Sequence, residues 1–401
     1  MAFNVEQIRN QFPSLKSGVA HFDGPGGTQT PTSVGQAISD TITGPLANRG
    51  VTTEAERAAE ATVAAARAAI ADLLNVESRG VVFGRSMTQL TFDFARTLAQ
   101  NWKSGDEIVV SKLDHDANVR PWVRYAEKSG ATLRWIEFDP ATGHLDVSDV
   151  EAVVNERTKL VAITAAGNIL GTKPDIPAIS KVVHAVGALL YVDGVHNTAH
   201  SVVDVAALGA DFYGCSPYKF FGPHIGVMSA KPELLESLHP DKLLPSTEVV
   251  PERFELGTLP YELLAGITAA VDFIAGMDPS ASGTRRERIV TSMEAAEVHE
   301  HSLSHRLRSG LDSMPNVTVY SNARSKTPTE LFSLVGIDSQ HVYRELAKKK
   351  INAPAGNFYA IECSRHLGLG DGGAVRAGLA PYNTTEEIDR LLNALSEIKA
   401  S

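Results

Sequence analysis

Apolar runs and helical patterns alternate along the first two thirds of this 401-residue chain. Short apolar runs, which are typical of buried strands, occupy residues 80–83, 107–110, 132–137, 160–164, 188–192, 211–214 and 226–229. Residues with helical apolar spacing occupy 54–74, 88–101, 119–129 and 176–186. This order predicts βαβ units and a mainly parallel sheet covered by helices on both faces.

The last third has a different pattern. Residues 259–308 have the pattern of a long helix with a break near 278–283, and shorter apolar runs follow it. Strands are expected at 317–320, 331–335 and 374–379, and helices at 339–349 and 385–399. We therefore predict a large α/β domain at 21–275, a smaller α+β domain at 276–401, and an N-terminal segment, 1–20, that packs on the smaller domain.

Composition narrows the class of protein. The formal net charge of −10 argues against nucleic acid or an anionic membrane as the main partner. Two cysteines, Cys215 and Cys363, form neither a disulfide framework nor a metal cluster. The sequence shows no signal peptide and no apolar run of about 18 residues. These features predict a soluble cytoplasmic protein without a metal site.

Several polar residues follow strands of the predicted sheet, where α/β proteins bind their ligands. Ser86, Met87 and Thr88 begin a helix whose free N–H groups could bind phosphate, although Ser86 and Thr88 are equally good helix caps. His115 follows the next strand and could stack on a flat ring or lie at the surface. Asn168, past a further strand, could bind a ligand or belong to an ordinary loop.

Asp193 and Lys219 follow neighbouring strands of the predicted sheet. A carboxylate at a buried strand end needs a cationic partner, either a metal or a protonated ring nitrogen. No further ligands stand at metal-binding spacing near Asp193. Lys219 could be a surface lysine, but a desolvated amine is a nucleophile toward carbonyls. Together with a phosphate site, the pair indicates pyridoxal 5'-phosphate (PLP) chemistry.

Two segments carry a family resemblance. VDGVH at 192–196, and SPYK at 216–219 followed by Gly222 and Pro223, resemble motifs of the class V aminotransferase and cysteine desulfurase group of fold-type I PLP enzymes. The similarity runs from Phe22 to the closing helix. It implies a three-layer α/β/α PLP-transferase domain with a mainly parallel sheet, followed by a smaller α+β C-terminal domain.

The resemblance also implies roles for individual residues. Lys219 would form the Schiff base with PLP and move the substrate proton, Asp193 would pair with the ring nitrogen, and His115 would stack on the ring. Further cofactor contacts would come from Asn168 and His196 at the ring oxygen and from Ser86, Met87, Thr88, Ser216 and Tyr218 at the phosphate.

Three more positions match family segments elsewhere in the chain. Gly257 and Thr258 resemble a segment that reaches the phosphate of a neighbouring subunit, which implies a homodimer with shared active sites. Arg376 matches the arginine that binds the substrate α-carboxylate through a bidentate fork.

The chain departs from the desulfurase pattern in two places. Tyr218 stands where desulfurases carry a histidine, which weakens the expected phosphate site. Tyr359 stands where they carry the catalytic cysteine, and Cys363 comes four residues later. Cys363 is either a persulfide carrier or, as the simpler interpretation, a structural thiol, and Cys215 is expected to be a packing residue. Asn357 and Tyr359 are either substrate contacts or loop residues.

The leading prediction is a PLP-dependent aminotransferase that acts on an α-amino acid and a keto acid. A PLP-dependent C–S lyase or a cysteine desulfurase-like enzyme is the alternative, and a non-catalytic PLP-binding homologue is a third possibility. An NAD-binding Rossmann protein is excluded, because the glycines of Gly24-Pro25-Gly26-Gly27 lack the required spacing.

Overall fold

The computed structural model describes residues 3–399, and a seven-stranded sheet lies at its centre. Met1, Ala2, Ala400 and Ser401, which belong to the predicted N-terminal segment and small domain, lie outside the described residues. The strands in chain order are β1 (Ala20–His21), β2 (Val81–Gly84), β3 (Glu107–Ser111), β4 (Thr132–Ile136), β5 (Thr158–Thr164), β6 (Leu189–Asp193), β7 (Phe212–Cys215), β8 (Gly226–Ala230), β9 (Val317–Val319), β10 (Thr329–Leu334), β11 (Ile351–Asn352), β12 (Ala355–Gly356) and β13 (Ala374–Gly378).

The helices match the predicted positions wherever the apolar pattern was long. They are α1 (Val5–Arg9), α2 (Thr32–Thr43), α3 (Glu54–Leu74), α4 (Met87–Leu98), α5 (Arg120–Ser129), α6 (Val147–Glu151), α7 (Ile176–Ala185), α8 (Val205–Leu208), α9 (Pro232–Glu236), α10 (Tyr261–Ala275), α11 (Arg285–Asp312), α12 (Ser339–Lys348), α13 (Ile361–His366) and α14 (Thr385–Glu397). The predicted break is confirmed, because α11 begins anew after α10 with a capping box between Thr284 and Glu287. Among residues 3–399, no helix is long and apolar enough to cross a membrane.

The central sheet has the order β2-β8-β7-β6-β5-β3-β4. Its strands from β7 to β4 pair in parallel, whereas β8 is antiparallel to both β2 and β7. On β3, Val109 and Val110 belong to different apolar clusters, because successive strand residues point to opposite faces. Ile267 of α10 joins the first cluster, and Phe94 of α4 and Trp122 of α5 join the second. The predicted three-layer α/β/α arrangement is confirmed.

A smaller antiparallel sheet, β12-β13-β10-β9, packs with α11, α12 and α14 around a third apolar cluster. The long helix α11 belongs to two clusters, with Met293 in the first and Leu307 in the third. In the N-terminal segment, Phe12 contacts the rings of both Phe273 and Tyr382. The predicted domain boundaries, and the packing of residues 1–20 on the smaller domain alone, stay predictions.

The loop after β1 crosses directly over β13. Gly378 N–H donates to Phe22 O at 2.8 Å, and Asp23 forms a parallel bridge with Gly378. A Cβ atom added to Gly378 would come within 2.2 Å of the Pro25 ring, so only glycine allows this crossing. The crossing matters for the site described below, since it fixes Pro25 beside the strand that carries Arg376.

We expect Gly378→Ala to lower the free energy of unfolding by about 1–3 kcal/mol, since the added methyl group overpacks the crossing. Urea unfolding of the purified protein measures this loss. Gly372→Ala is the matched control, because nothing lies within 4 Å of a Cβ at that exposed position. Equal unfolding midpoints for the two variants would contradict the close crossing.

Candidate active site

Asp193 and Lys219 lie at neighbouring strand ends, as predicted. Asp193 ends β6, and Lys219 ends a short turn, Pro217–Lys219, that follows β7. Both residues are buried, with exposed fractions of 4% and 6%. The Lys219 Nζ donates to Pro25 O at 2.7 Å, and Asp193 Oδ1 accepts from Val195 N–H at 2.9 Å. The lysine therefore lies within the protein and not at its surface.

The charges of Lys219 and Asp193 influence each other because both side chains are buried. Burial lowers the pKa of Lys219, the Arg376 charge lowers it further, and the Asp193 carboxylate opposes both. Burial raises the pKa of Asp193, while the Val195 N–H and the Lys219 charge oppose this rise. A lysine with a lowered pKa carries more of its unprotonated, nucleophilic form near neutral pH.

His115 is a neutral imidazole in this site. Burial lowers its pKa to about 3, with smaller contributions from the charges of Lys219 and Arg376. Its Nδ1 accepts a hydrogen bond from Ala117 N–H at 3.0 Å, so the ring proton lies on Nε2. The ring of Tyr359 lies 5.6 Å away, tilted by 30°. The His115 ring can therefore stack on a planar ligand without adding a further positive charge to those of Lys219 and Arg376.

Asn168 and His196 line the cavity that also contains Lys219. The Asn168 Nδ2 donates to Phe358 O at 2.9 Å, whereas its buried Oδ1 has no hydrogen-bond partner. His196 Nε2 lies 2.8 Å from Thr327 Oγ1, and burial lowers the pKa of the ring. A buried acceptor without a partner is costly unless a ligand supplies the donor, so Asn168 marks the cavity as a binding site.

Most of the predicted cofactor residues meet in one cavity, which we call the inner cavity. Its wall includes Met87, Thr88, His115, Asn168, Asp193, His196, Ser216, Tyr218 and Lys219. Thr88 lies in the first turn of α4, whose N–H groups point toward this end of the sheet. Ser86 caps the same helix by accepting from Gln89 N–H at 3.1 Å, and it is absent from the wall.

Gly257 and Thr258 lie apart from the inner cavity. Both are exposed, and Thr258 lines a different depression beside Leu256. Their segment is anchored by Glu255, which forms a buried ion pair with Arg67 at 2.7 Å. The predicted contact with the phosphate of a neighbouring subunit stays a prediction.

Arg376 lies on β13 and is only 2% exposed. Its Nη1 donates to Asn168 O at 2.8 Å, while its Nε is buried without a partner. The Phe358 ring covers one face of the guanidinium, 3.7 Å from ring centroid to Cζ. Burial lowers the pKa of Arg376 to about 9, which still leaves it charged at pH 7. The free Nε donor fits a substrate carboxylate.

The structure places Tyr359 and Asn357, the two predicted substrate contacts of this loop, differently. Tyr359 is 74% exposed and lines the mouth of the site, while Asn357 is absent from the lining. The Asn357 side chain holds its own loop, because Nδ2 donates to Asp371 O at 2.9 Å and Oδ1 accepts from Tyr359 N–H at 3.0 Å. Their roles in substrate binding stay predictions.

Both cysteines are buried. Cys363 lies on α13 and Cys215 ends β7, and burial raises the pKa of both thiols. A buried thiol with a raised pKa carries little thiolate, the form that attacks sulfur or carbon. This placement favours the structural interpretation of Cys363.

Sequence reasoning missed three features of the site. Phe358 stacks on Arg376, and Phe92 lies one helical turn after Thr88 on α4, a spacing that places both on one face. Asp114, directly before His115, is a buried carboxyl that accepts from Asn118 Nδ2 at 2.7 Å and Thr164 N–H at 3.1 Å. Burial raises its pKa. In the sequence, Asp114 could have been found as a carboxylate that stands shortly after a mostly apolar strand.

Comparison with known proteins decides the family. The family model described as aminotransferase class-V matches residues 20–391. The chain belongs to the class-V aminotransferase family. Its enzymes depend on PLP and are transferases or lyases, so this chain is a PLP-dependent enzyme.

Relatives in the class-V family match over the whole chain. The uncharacterized protein MT3887 of Mycobacterium tuberculosis is 34% identical and covers 99% of this chain and 100% of its own length. The aminotransferase-like protein FGM3 of Gibberella zeae is 33% identical, with 99% of each chain covered. The cysteine desulfurase CsdA of Escherichia coli has a similar crystal structure, with a TM-score of 0.87 at 27% identity, covering 99% of this chain and 98% of its own. FGM3 and CsdA carry different activity names.

The residues of the inner cavity fit PLP. The Asn168 Oδ1, which has no hydrogen-bond partner, could accept a hydrogen bond from a donor such as a ring hydroxyl. The buried Asp193 carboxylate suits a protonated ring nitrogen. The neutral imidazole of His115 offers a ring face, and the start of α4 offers N–H groups to a phosphate. Among residues 3–399, no group of three potential metal ligands occurs.

Proposed function

We propose that this enzyme is an aminotransferase, which moves the amino group of an α-amino acid to a keto acid with PLP held in the inner cavity. One observation carries the proposal. Lys219 shares one cavity with the Asp193 carboxylate and the adjoining one with the Arg376 guanidinium, and both charges act on its amine. This arrangement provides an amine for the cofactor aldehyde, a partner for the cofactor ring and a clamp for the substrate carboxylate.

The cofactor would be held by groups from several strand ends. Asp193 would accept a hydrogen bond from the ring nitrogen, His115 would stack on the ring, and Asn168 and His196 would lie at the ring oxygen. The phosphate would bind at the start of α4, near Met87, Thr88, Ser216 and Tyr218. The exposed Gly257 and Thr258 support a homodimer, in which this segment reaches the phosphate bound by a second copy.

Lys219 and Arg376 would act on the substrate. PLP, when bound, withdraws electrons from the Cα of an amino acid joined to it, which weakens the bond to the Cα proton. The lowered pKa of Lys219 lets its released amine take up the Cα proton and deliver it to the cofactor carbon that carried the aldehyde. Arg376 would hold the α-carboxylate through Nε and so orient the Cα–H bond toward the lysine.

A C–S lyase or cysteine desulfurase is the second candidate, which is favoured by the similarity to CsdA. A desulfurase of the persulfide type needs an accessible thiolate to attack the substrate sulfur. In this chain Tyr359 occupies the mouth of the site, and Cys363 lies in the core. These placements favour transamination over thiol-dependent desulfuration.

Single-turnover spectroscopy with amino acids tests the assignment. The PLP-loaded protein is mixed with each of a panel of amino acids, and the conversion of the PLP absorbance to that of pyridoxamine phosphate is followed. We expect this conversion, its reversal by a keto acid, and no sulfide from cysteine. Cys363→Ala should react as fast as the original chain, since its thiol contacts no reacting group.

Two outcomes would overturn the proposal. Sulfide release from cysteine that disappears in Cys363→Ala would establish a desulfurase. Keto acid or ammonia release without formation of pyridoxamine phosphate would establish a lyase. Cys215→Ala, a second buried thiol substitution, controls for any general loss of stability.

A further inference from the structure

A second cavity opens beyond Lys219 and indicates the substrate class. This outer cavity has a volume of about 620 Å³ and shares Thr88, His115, Asn168, Tyr218 and Lys219 with the inner one. Arg376 lies on its wall. With the α-carboxylate at Arg376 and the amine near Lys219, the side chain of an amino acid would face the remaining wall.

That remaining wall contains three aromatic side chains. Phe92, Phe358 and Tyr359, together with Pro25, contribute its apolar surface, and we call these four residues the aromatic wall. Phe92 is 36% exposed and Tyr359 is 74% exposed. Large apolar side chains that stay exposed around a concave site form a surface that a ligand can cover.

Apart from Lys219 and Arg376, the charged side chains that line the outer cavity already form ion pairs. Arg120 is the cation that remains after Lys219 and Arg376 are assigned, and its Nη2 lies 2.8 Å from Asp116 Oδ1 and 3.1 Å from Glu362 Oε1. The hydrogen bond with Asp116 raises the pKa of Arg120. The described lining residues therefore leave no unpaired charge for an acidic or basic substrate side chain.

The aromatic wall is held in place by the backbone. Phe358 and Tyr359 have left-handed φ values of 51° and 60°, which are unfavourable for aromatic residues. Asn168 Nδ2 donates to Phe358 O at 2.9 Å, and Asp116 N–H donates to Tyr359 O at 2.7 Å. Such strain persists only where surrounding contacts fix it, so the backbone that carries both rings is set in position before a substrate arrives.

The geometry points to an α-amino acid with a large apolar side chain, aromatic or branched aliphatic, as the substrate. This inference rests on the proposed function, because it takes Arg376 as the carboxylate site and Lys219 as the amine site. The aromatic wall would cover the apolar side chain, whereas acidic and basic side chains would lose water without gaining a partner. A small side chain such as that of alanine would leave the wall uncovered.

Amino acid selectivity of the PLP-loaded protein tests the inference. We expect kcat/KM in the first half-reaction to be at least about tenfold higher for phenylalanine or leucine than for alanine, and higher still than for aspartate and lysine. Phe92→Ala and Tyr359→Ala should each lower the value for phenylalanine about tenfold more than the value for alanine. Val335→Ala, at an exposed apolar position outside the cavity, should change neither.

Binding of acids that lack an amino group provides a readout without turnover. Calorimetric titration of the PLP-loaded protein should show 3-phenylpropanoate binding more tightly than propanoate or succinate. Equal or better reaction of aspartate, or tighter binding of succinate, would overturn the apolar substrate class while leaving the aminotransferase intact. Tight 3-phenylpropanoate binding with no amino acid reacting would support the aromatic wall and overturn the proposed function.

Discussion

Lys219→Ala is expected to lower kcat/KM for the amino acid substrate by about 10⁴-fold or more. Removal of a positioned general base costs about 10²–10⁴-fold, and removal of a residue that also bonds covalently costs up to about 10⁶-fold. Lys219 combines both roles in the proposed function, and its amine already lies in the inner cavity with Pro25 O as its acceptor. Stopped-flow absorbance with excess amino acid measures the rate.

The control for this prediction is another lysine. Lys159 lies at the surface, 3.6 Å from Asp106, and its substitution by alanine should leave the rate unchanged. The visible absorption of PLP bonded to a lysine should persist in Lys159→Ala and vanish in Lys219→Ala. A Lys219→Ala protein that retains both the band and the rate would contradict the assignment of the amine.

Arg376→Gln and Asp193→Asn are expected to shift the pH dependence of Lys219 in opposite directions. The Arg376 charge lowers the pKa of the lysine and the Asp193 charge raises it. Without the arginine, the lysine should therefore deprotonate at higher pH, and without the carboxylate at lower pH. The rate at which the apoprotein reacts with PLP, measured across pH, reports the unprotonated amine.

The same arginine substitution should weaken substrate binding. Loss of one partner of a buried, hydrogen-bonded charge pair costs about 2–5 kcal/mol, so kcat/KM should fall accordingly even at the new optimum pH. Arg344→Gln, at an exposed position on α12, is the matched control for both measurements. Shifts in the same direction for Arg376→Gln and Asp193→Asn would contradict the opposing charges around the lysine.

The central sheet was predictable because its strands, apart from the edge strand β4, are largely buried on both faces. Such strands are continuous apolar runs, and the seven predicted runs agree with β2 to β8 within two residues at each end. The helix α2 was missed because its apolar stripe is short, with Val34, Ile38 and Ile42 at helical spacing and Val34 alone buried. The two-residue strands β1 and β11 pair Ala20 with Ile351, a contact that no local pattern contains.

The site was predictable where a residue follows a strand. Asp193, Lys219, His115 and Asn168 all stand at strand ends, and parallel topology brings strand ends together. The stacking of Phe358 on Arg376 escaped prediction because it depends on a loop conformation with two left-handed residues. The Asn357 side chain likewise serves the loop itself, a role that residue type alone does not reveal.

The crossing of the β1 loop over β13 has a consequence for how the enzyme is made. The acceptor of Lys219, Pro25, lies on a segment whose backbone partners, Asn352 and Gly378, are translated after every strand of the central sheet. The central sheet is translated first. The loop after β1 can take up its folded position only once β13 has left the exit tunnel of the ribosome. A chain that stops before β13 is therefore expected to lack this crossing, and with it the fixed Pro25 acceptor of Lys219.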